Sequence, residues 1–278
     1  MVLNNTKTDQ VMSLKPKKSL GQHFLRSEKV LEKIISESDL SKKDTVLEVG
    51  PGLGHLTKKL LERADKVIAV EKDDRLIPLL SKKFASEISR GRLGLVHTDI
   101  LSFDPSTYLK SKEGYKIVAN LPYYLTGKFL RKFLSGHEES KLESMTLLLQ
   151  KEVAQRIVAR DGKESLLSIS IKAFGKPHYV ATVKRDFFKP RPKVDSAILL
   201  IDKVGDKILK GEEQKLFFSI VKRGFSSKRK KLTNNLKALG DSNFWQEAFK
   251  NCRLSQNTRA EELSVRDWLC LTKECESE

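Results

Sequence analysis

From residue 45 to about 150, short apolar runs rich in β-branched residues alternate with segments whose apolar positions recur at helical spacing. "TVLEVG" (45–50), "KVIAVE" (66–71), "LGLVHTD" (93–99), "KIVANL" (116–121) and "SMTLLLQ" (144–150) predict strands. "HLTKKLLERA", "DRLIPLLSKKFA" and "GKFLRKFLSG" predict the helices between them. Such alternation implies a parallel sheet wound on both faces. The near-continuous apolar stretches "VIAV" and "TLLL" suit strands covered on both sides.

After residue 150 the pattern changes. "KEVAQRIVAR" predicts a helix, whereas "LLSISIKAFG" fits helix and strand alike, its β-branched content and its length pointing in opposite directions. "PHYVATVKRDFF" and "KVDSAILLID" read as two strands joined by the stiff "KPRPK" segment, an antiparallel pair at the sheet edge. The polar "KVGDKILKGEE" around residue 205 reads as a boundary. Beyond it "EQKLFFSIVKRGF", "KLTNNLKAL", "FWQEAFKN" and "SVRDWLCLTKE" predict a small helical domain. The expected division is therefore 1–204 and 205–278.

Composition narrows the setting. No apolar run approaches the roughly 18 residues of a membrane span, and the amino-terminal "MVLNNTKTDQVMSLKPKK" lacks the apolar core of a secretory signal. A cytoplasmic protein is expected. Cys252, Cys270 and Cys275 show no CxxC spacing, which argues against a disulfide framework and a zinc site. Lys and Arg outnumber Asp and Glu by 53 to 36, a formal charge of +17 that favours a polyanionic partner. Residues 219–237 hold seven basic residues and no acidic one; residues 176–193 hold six basic and one acidic, with aromatics between them. Basic charge interleaved with aromatics suits distorted or single-stranded nucleic acid, whose phosphates are neutralised while exposed bases stack.

In an open parallel sheet, ligands bind at the carboxyl ends of the strands near the switch in strand order. The first strand runs into "EVGPGLGHLT", with Gly50, Gly52 and Gly54 in a turn open to close ligand approach. The second ends in Glu71, placed to accept hydrogen bonds from a ribose. The third ends near Asp99, able to take the amino group of an adenine; its neighbour His97 reads as a rim residue outside any metal-ligand pattern. Three tips thus suit one adenosine. The GxGxG spacing differs from the GxGxxG of dinucleotide sites and weakens an NAD-dependent oxidoreductase reading.

The fourth tip, "NLPYY" (120–124), carries different chemistry. An adenine amino group is a poor nucleophile because its lone pair is delocalised into the ring. If the Asn120 side-chain oxygen and the Leu121 carbonyl, held by Pro122, accept its two hydrogens, the nitrogen is drawn towards tetrahedral geometry and its lone pair is freed. Tyr123 can stack on the base. Tyr124 has no assigned role beyond packing under the next helix. A methyl on a sulfonium centre would complete the chemistry, and S-adenosylmethionine carries the adenosine that the other tips suit.

These motifs resemble the KsgA family of ribosomal RNA adenine dimethyltransferases nearly end to end, through "KKSLGQHFL" (17–25), "EVGPGLGHLT" (48–57), "VEKD" (70–73), "TDIL" (98–101), "NLPYYLT" (120–126), "FKPRPKVDSAIL" (188–199), "KRKKLTNNL" (228–236) and "RAEELS" (259–264). The resemblance implies a Rossmann-like class I S-adenosylmethionine-dependent methyltransferase sheet (1–204, with 1–30 lying over the cofactor) and an all-helical domain (205–278) contacting rRNA. It makes His23, Leu25, Gly50, Gly52, Glu71, Asp99 and Asn120 cofactor contacts. Asn120, Leu121, Pro122 and Tyr123 become the catalytic motif, and Phe188 an aromatic on the other side of the target base. Lys222, Arg223, Lys228, Arg229, Lys230 and Lys231 become rRNA contacts. The implied protein is a monomer needing no metal, acting on two adjacent adenosines near the 3′ end of small-subunit rRNA within a pre-30S particle. The alternatives are an Erm-type large-subunit methyltransferase, disfavoured by "KVDSA" and "RAEELS", and a non-catalytic assembly or transcription factor of the same fold.

Overall fold

The computed structural model describes residues 15–17, 20–109, 114–135, 141–204, 209 and 211–276. The amino-terminal stretch 1–14 and most of the polar boundary (205–208 and 210) lie outside them.

Seven strands form one sheet: β2 (Thr45–Val49), β3 (Lys66–Glu71), β4 (Leu93–His97), β5 (Tyr115–Asn120), β6 (Leu142–Gln150), β7 (Lys176–Val183) and β9 (Ser196–Asp202), in the order β4-β3-β2-β5-β6-β9-β7. The pairs β2–β3, β2–β5, β3–β4 and β5–β6 are parallel. Val46, Leu47, Val67, Ala69, Ile117 and Val118 are buried on both faces of the sheet, as their continuous apolar runs require. Helices α2 (His55–Arg63), α3 (Ile77–Lys83), α5 (Thr126–Ser135) and α6 (Lys151–Val158) fall where the helical periodicity placed them, with a short α4 (Ala85–Ser89) after α3.

Register decides where the site lies. Val49 pairs with Val70 on one side and with Ala119 on the other, so Gly50, Glu71 and Asn120 come level one residue further on. The chain runs from β2 out to β4 and then returns to place β5 on the opposite flank of β2. That reversal opens a crevice above the tips of β3, β2 and β5.

Two elements of this unit were absent from the sequence reading. Helix α1 (Glu28–Glu37) buries Val30, Leu31, Ile34 and Ile35 along one stripe. Residues Phe24–Leu25 (β1) and Phe188–Lys189 (β8) pair antiparallel in a two-stranded ribbon, Phe24 opposite Lys189 and Leu25 opposite Phe188.

The chain divides into two compact units, residues 1–151 with 180–200 and residues 152–179 with 201–278. The expected boundary at 204 is corrected, since 152–179 groups with the carboxy-terminal helices. Within the second unit the ambiguous "LLSISIKAFG" is helix α7 (Leu166–Lys172), started by a capping box in which Ser165 and Ser168 satisfy each other's backbone donors. Its Ile169, with Ala173 just beyond it, joins a core formed with Phe217, Trp245, Phe249 and Trp268, which is why it belongs there. The helices α8 (Gly211–Gly224), α9 (Leu232–Leu236), α10 (Ser242–Asn251) and α11 (Val265–Glu276) match the predicted segments. Cys252 and Cys270 form a disulfide between the end of α10 and the middle of α11, contrary to the expectation of free thiols. Eighteen residues separate them, and only helix packing brings them together.

Gly54 shows why the glycine turn cannot take other residues. Its φ is +73°, and a Cβ there would lie 2.6 Å from the Phe84 ring. Gly54→Ala combines left-handed strain with overpacking and should lower stability by about 2 to 4 kcal/mol. Urea denaturation of the full chain checks this.

Candidate cofactor and substrate site

One cavity at the strand tips is lined by Gly50, Gly52, Glu71, Asp99, Asn120, Leu121, Pro122, Tyr123 and Phe188, and by Leu20 to Leu25 of the amino-terminal strap. It therefore gathers every cofactor and catalytic residue expected from the sequence, His23 and Leu25 included. Gly50, at φ +67°, has open space where a Cβ would stand, so the cavity floor stays clear. His97 is exposed and does not line the cavity.

Glu71 is 5% exposed. Its two oxygens accept hydrogen bonds from the backbone of Gly52 at 3.2 Å and of Asp73 at 2.8 Å, which aims the carboxylate and leaves lone pairs for a ribose. Burial pushes its carboxyl up, and the backbone donors oppose that shift. Asp73, behind it, anchors the strap. Arg75 reaches it through Nε at 2.9 Å and Nη2 at 2.7 Å, Gln22 Nε2 at 2.8 Å and Lys17 Nζ at 3.1 Å. Arg75 first, then Gln22 and Lys17, hold the Asp73 carboxyl well below the usual range. Gln22 Oε1 in turn accepts the Lys17 backbone N–H at 2.8 Å. From there the strap enters the β1–β8 ribbon, with His23 Nδ1 donating to the Pro190 carbonyl at 2.7 Å.

At the fourth tip, Asn120 Nδ2 donates to the His23 carbonyl at 3.0 Å. The acceptor it meets fixes the amide's orientation and leaves Oδ1 free as an acceptor. The Leu121 N–H is taken by the Leu148 carbonyl at 3.0 Å, which holds the Asn120–Leu121 peptide, and the Pro122 ring restricts the backbone that follows. Tyr123 is fixed at both ends: its hydroxyl hydrogen-bonds Ser196 Oγ at 2.8 Å, and its ring stacks on His23 at a centroid distance of 6.0 Å. Tyr124, left unassigned by the sequence, does not pack under the next helix. It is 59% exposed and stands at the cavity mouth against Gly21.

Two residues here escaped the sequence reading. Lys72 Nζ sits 2.7 Å from Asp99 Oδ2, and the Leu101 N–H donates to Oδ1 at 2.9 Å, so a lysine holds one of the expected adenine acceptors. Lys72 is the main reason the Asp99 carboxyl is lowered. Glu48, hidden inside an apolar strand, is 1% exposed, lines the cavity, and neither of its oxygens makes a hydrogen bond. Burial, with the nearby Glu71 charge adding to it, pushes its carboxyl up to about 8.

The basic residues of the second unit divide into two groups. Lys222, Lys228, Arg229 and Lys230 are exposed. Arg223 Nε donates to the Asn235 carbonyl at 2.9 Å and Lys231 Nζ to Asn257 Oδ1 at 2.6 Å, so these two also brace the helices. Among the described residues, one group of potential metal ligands gathers, Cys252, Cys270 and Glu274, and its two sulfurs are bonded to each other.

Two expected outcomes follow from these contacts. The unfolded Glu48 carboxyl releases its proton above about pH 4.5 while the folded one keeps it to about pH 8, so this group lowers stability as pH rises through that window. Glu48→Gln should therefore gain on the wild type between pH 5 and pH 8 by up to about 4 kcal/mol; parallel denaturation profiles would show that the carboxyl titrates normally. Asp73→Asn removes charge-assisted bonds and should cost about 1.5 to 3 kcal/mol. Hydrogen exchange should rise first in residues 20–25, and unchanged protection there would remove Asp73 as the anchor.

Comparison with known proteins accords with this geometry. The family model described as "Ribosomal RNA adenine dimethylase" matches residues 13–277. A relative from Dehalococcoides mccartyi named "Ribosomal RNA small subunit methyltransferase A" is 45% identical over 263 residues, covering 93% of this chain and 89% of that one. One of the same name from Clostridium botulinum is 38% identical over 254 residues, 90% of each chain. Among solved structures, a dimethyladenosine transferase from Plasmodium falciparum superposes with a TM-score of 0.79 at 26% identity, covering 92% of this chain and 98% of that one. The 23S rRNA methyltransferase ErmE gives 0.75 at 26% identity, with 91% and 99% covered. This chain belongs to the ribosomal RNA adenine dimethylase family.

Proposed function

We propose that the protein transfers methyl groups from S-adenosylmethionine to the exocyclic amino groups of two adjacent adenosines in a hairpin near the 3′ end of small-subunit rRNA. The product is dimethyladenosine, made as a monomer in the cytoplasm on a pre-30S particle. The observation that carries this reading is the cavity-lining Asn120 amide, whose N–H is held by the His23 carbonyl at 3.0 Å, which leaves Oδ1 as an available acceptor.

The cavity suits the cofactor. Glu71 offers acceptor lone pairs to ribose hydroxyls, Asp99 an acceptor for an adenine amino group, and Gly50 the space for close approach. Glu71 brings a carboxylate to the cavity of a basic protein, favourable to a sulfonium, while Asp99 is paired with Lys72 and Glu48 keeps its proton. S-adenosylmethionine supplies an electrophilic methyl group and leaves as a neutral thioether.

The chain's own residues prepare the nucleophile. Asn120 Oδ1 and the Leu121 carbonyl accept the two hydrogens of the adenine amino group, moving it towards tetrahedral geometry with its lone pair aimed at the methyl donor. Preorganisation does the work: the Leu148 carbonyl fixes the Leu121 peptide and Ser196 fixes the Tyr123 ring, so neither must reorganise as charge develops. One face of Tyr123 meets the His23 ring, and the target base, flipped from its helix, has Tyr123 and Phe188 as aromatic neighbours. The nitrogen becomes cationic on methylation and loses a proton to solvent, after which one of the two acceptors holds the remaining hydrogen of the secondary amine for a second transfer.

The relatives at 38% and 45% identity carry a small-subunit name over about nine-tenths of their length, and this favours the small subunit over the Erm-type reading. A purely structural role is disfavoured by the complete set of oriented acceptors. Asn120→Ala should lower turnover on small-subunit particles at least about a hundredfold, the scale for losing one preorganised transition-state group. Cofactor affinity, read by isothermal titration, should change far less. Wild-type turnover in that variant refutes the amine-orienting role, and wild-type activity confined to large-subunit rRNA refutes the substrate.

A further inference from the structure

Behind Phe188 lies a second, open cleft walled by Arg26, Ser27, Asp186, Phe187, Lys189 and Arg191. Phe188 belongs to both cavities and separates them. Its side chain is 5% exposed, whereas Phe187 immediately before it is 41% exposed. Consecutive aromatics thus serve opposite sides of one wall.

The exposed ring is held from both directions. Residues 185–187 form a single 3-10 turn, with the Phe187 N–H on the Lys184 carbonyl at 3.1 Å and its own carbonyl accepting the Arg26 N–H at 3.0 Å. The loop beyond it is closed by Arg185, whose backbone N–H reaches Asp195 Oδ1 at 3.0 Å and whose Nη1 reaches the Lys193 carbonyl at 3.1 Å. A large apolar side chain kept in water on so braced a backbone calls for a ligand with a π-face. The charge around it calls for an anion. Asp186, the acidic residue of the wall, is taken by Arg191 Nε at 2.7 Å, leaving Arg26 and Lys189 as cations with no acidic partner in the cleft among the described residues.

We infer that this cleft holds the nucleotide next to the target adenosine, its base stacked on Phe187 and the intervening phosphate between Arg26 and Lys189. The inference rests on the proposed RNA substrate. A target base swung into the cavity leaves its neighbour without a stacking partner, and an aromatic platform one residue from the wall replaces what is lost. With two adjacent adenosines to modify, each in turn is target while the other is neighbour. The cleft therefore also sets which of the two is presented.

The test uses full-length protein and small-subunit particles lacking the two dimethyladenosines, after the wild type is shown to methylate them. Failure at that first step refutes the proposed function and is distinguishable from failure here. Phe187→Ala should raise the KM for particles at least about fivefold, the lower end of what one base–aromatic stack contributes. It should also change the ratio of methylation at the two adenosines by mass spectrometry, with S-adenosylmethionine affinity and melting temperature as in the wild type. Phe187→Trp should restore both the KM and the ratio. An unchanged KM and ratio overturns the inference, as does a defect that Trp does not rescue or that carries cofactor affinity with it. A photoreactive phenylalanine at position 187 that labels a ribosomal protein and no RNA overturns it in favour of a protein docking site.

Discussion

A carboxylate with no exposed side-chain surface, Asp73, is the contact on which the chamber depends. Its oxygens collect Arg75, Gln22 and Lys17, and its N–H points Glu71 into the cavity. One residue thereby fixes both Glu71 and the strap. The strap then delivers the His23 carbonyl to Asn120, and that bond sets the orientation of the amide. The proposed cofactor and amine sites thus share one support. A buried charge is costly to leave unpaired, so the arrangement is stable only with all its donors in place.

Electrostatics divides the molecule by scale. Across the whole chain the excess of cations favours a polyanion such as RNA at long range. Within the cavity the Glu71 carboxylate suits a cationic ligand at short range. Lys72 sits where the two meet. It neutralises Asp99 and, being itself 53% exposed, can turn aside into solvent at small cost.

Strand tips were readable because a parallel sheet places its chemistry at one end, and the apolar runs marked where each strand stopped: Glu71 and Asn120 close their strands, and Asp99 follows His97 by two residues. What could not be read has equally specific causes. Glu48 is an acid within a strand of apolar neighbours, and nothing in the alternation distinguishes a buried carboxyl from a surface one. A ribbon of two residues per strand, Phe24–Leu25 with Phe188–Lys189, is too short to carry a period. The Cys252–Cys270 bond and the grouping of 152–179 with the carboxy-terminal helices arise from packing between distant segments. The motif resemblance supplied the expected roles of His23 and Phe188, on which periodicity alone is silent.

The ribbon that joins residues 24–25 to 188–189 also sets an order in time. Its two strands are separated by most of the first unit, so closing it spans a very long loop, the kind of contact that forms late in folding. A chain still emerging from the ribosome has its glycine turn, Glu71 and Asn120 well before it has Phe188. It can pair β2 to β6 early, yet it lacks the strand that closes the ribbon over the strap. Synthesis itself therefore leaves the chamber without its Phe188 wall until that late segment has been made.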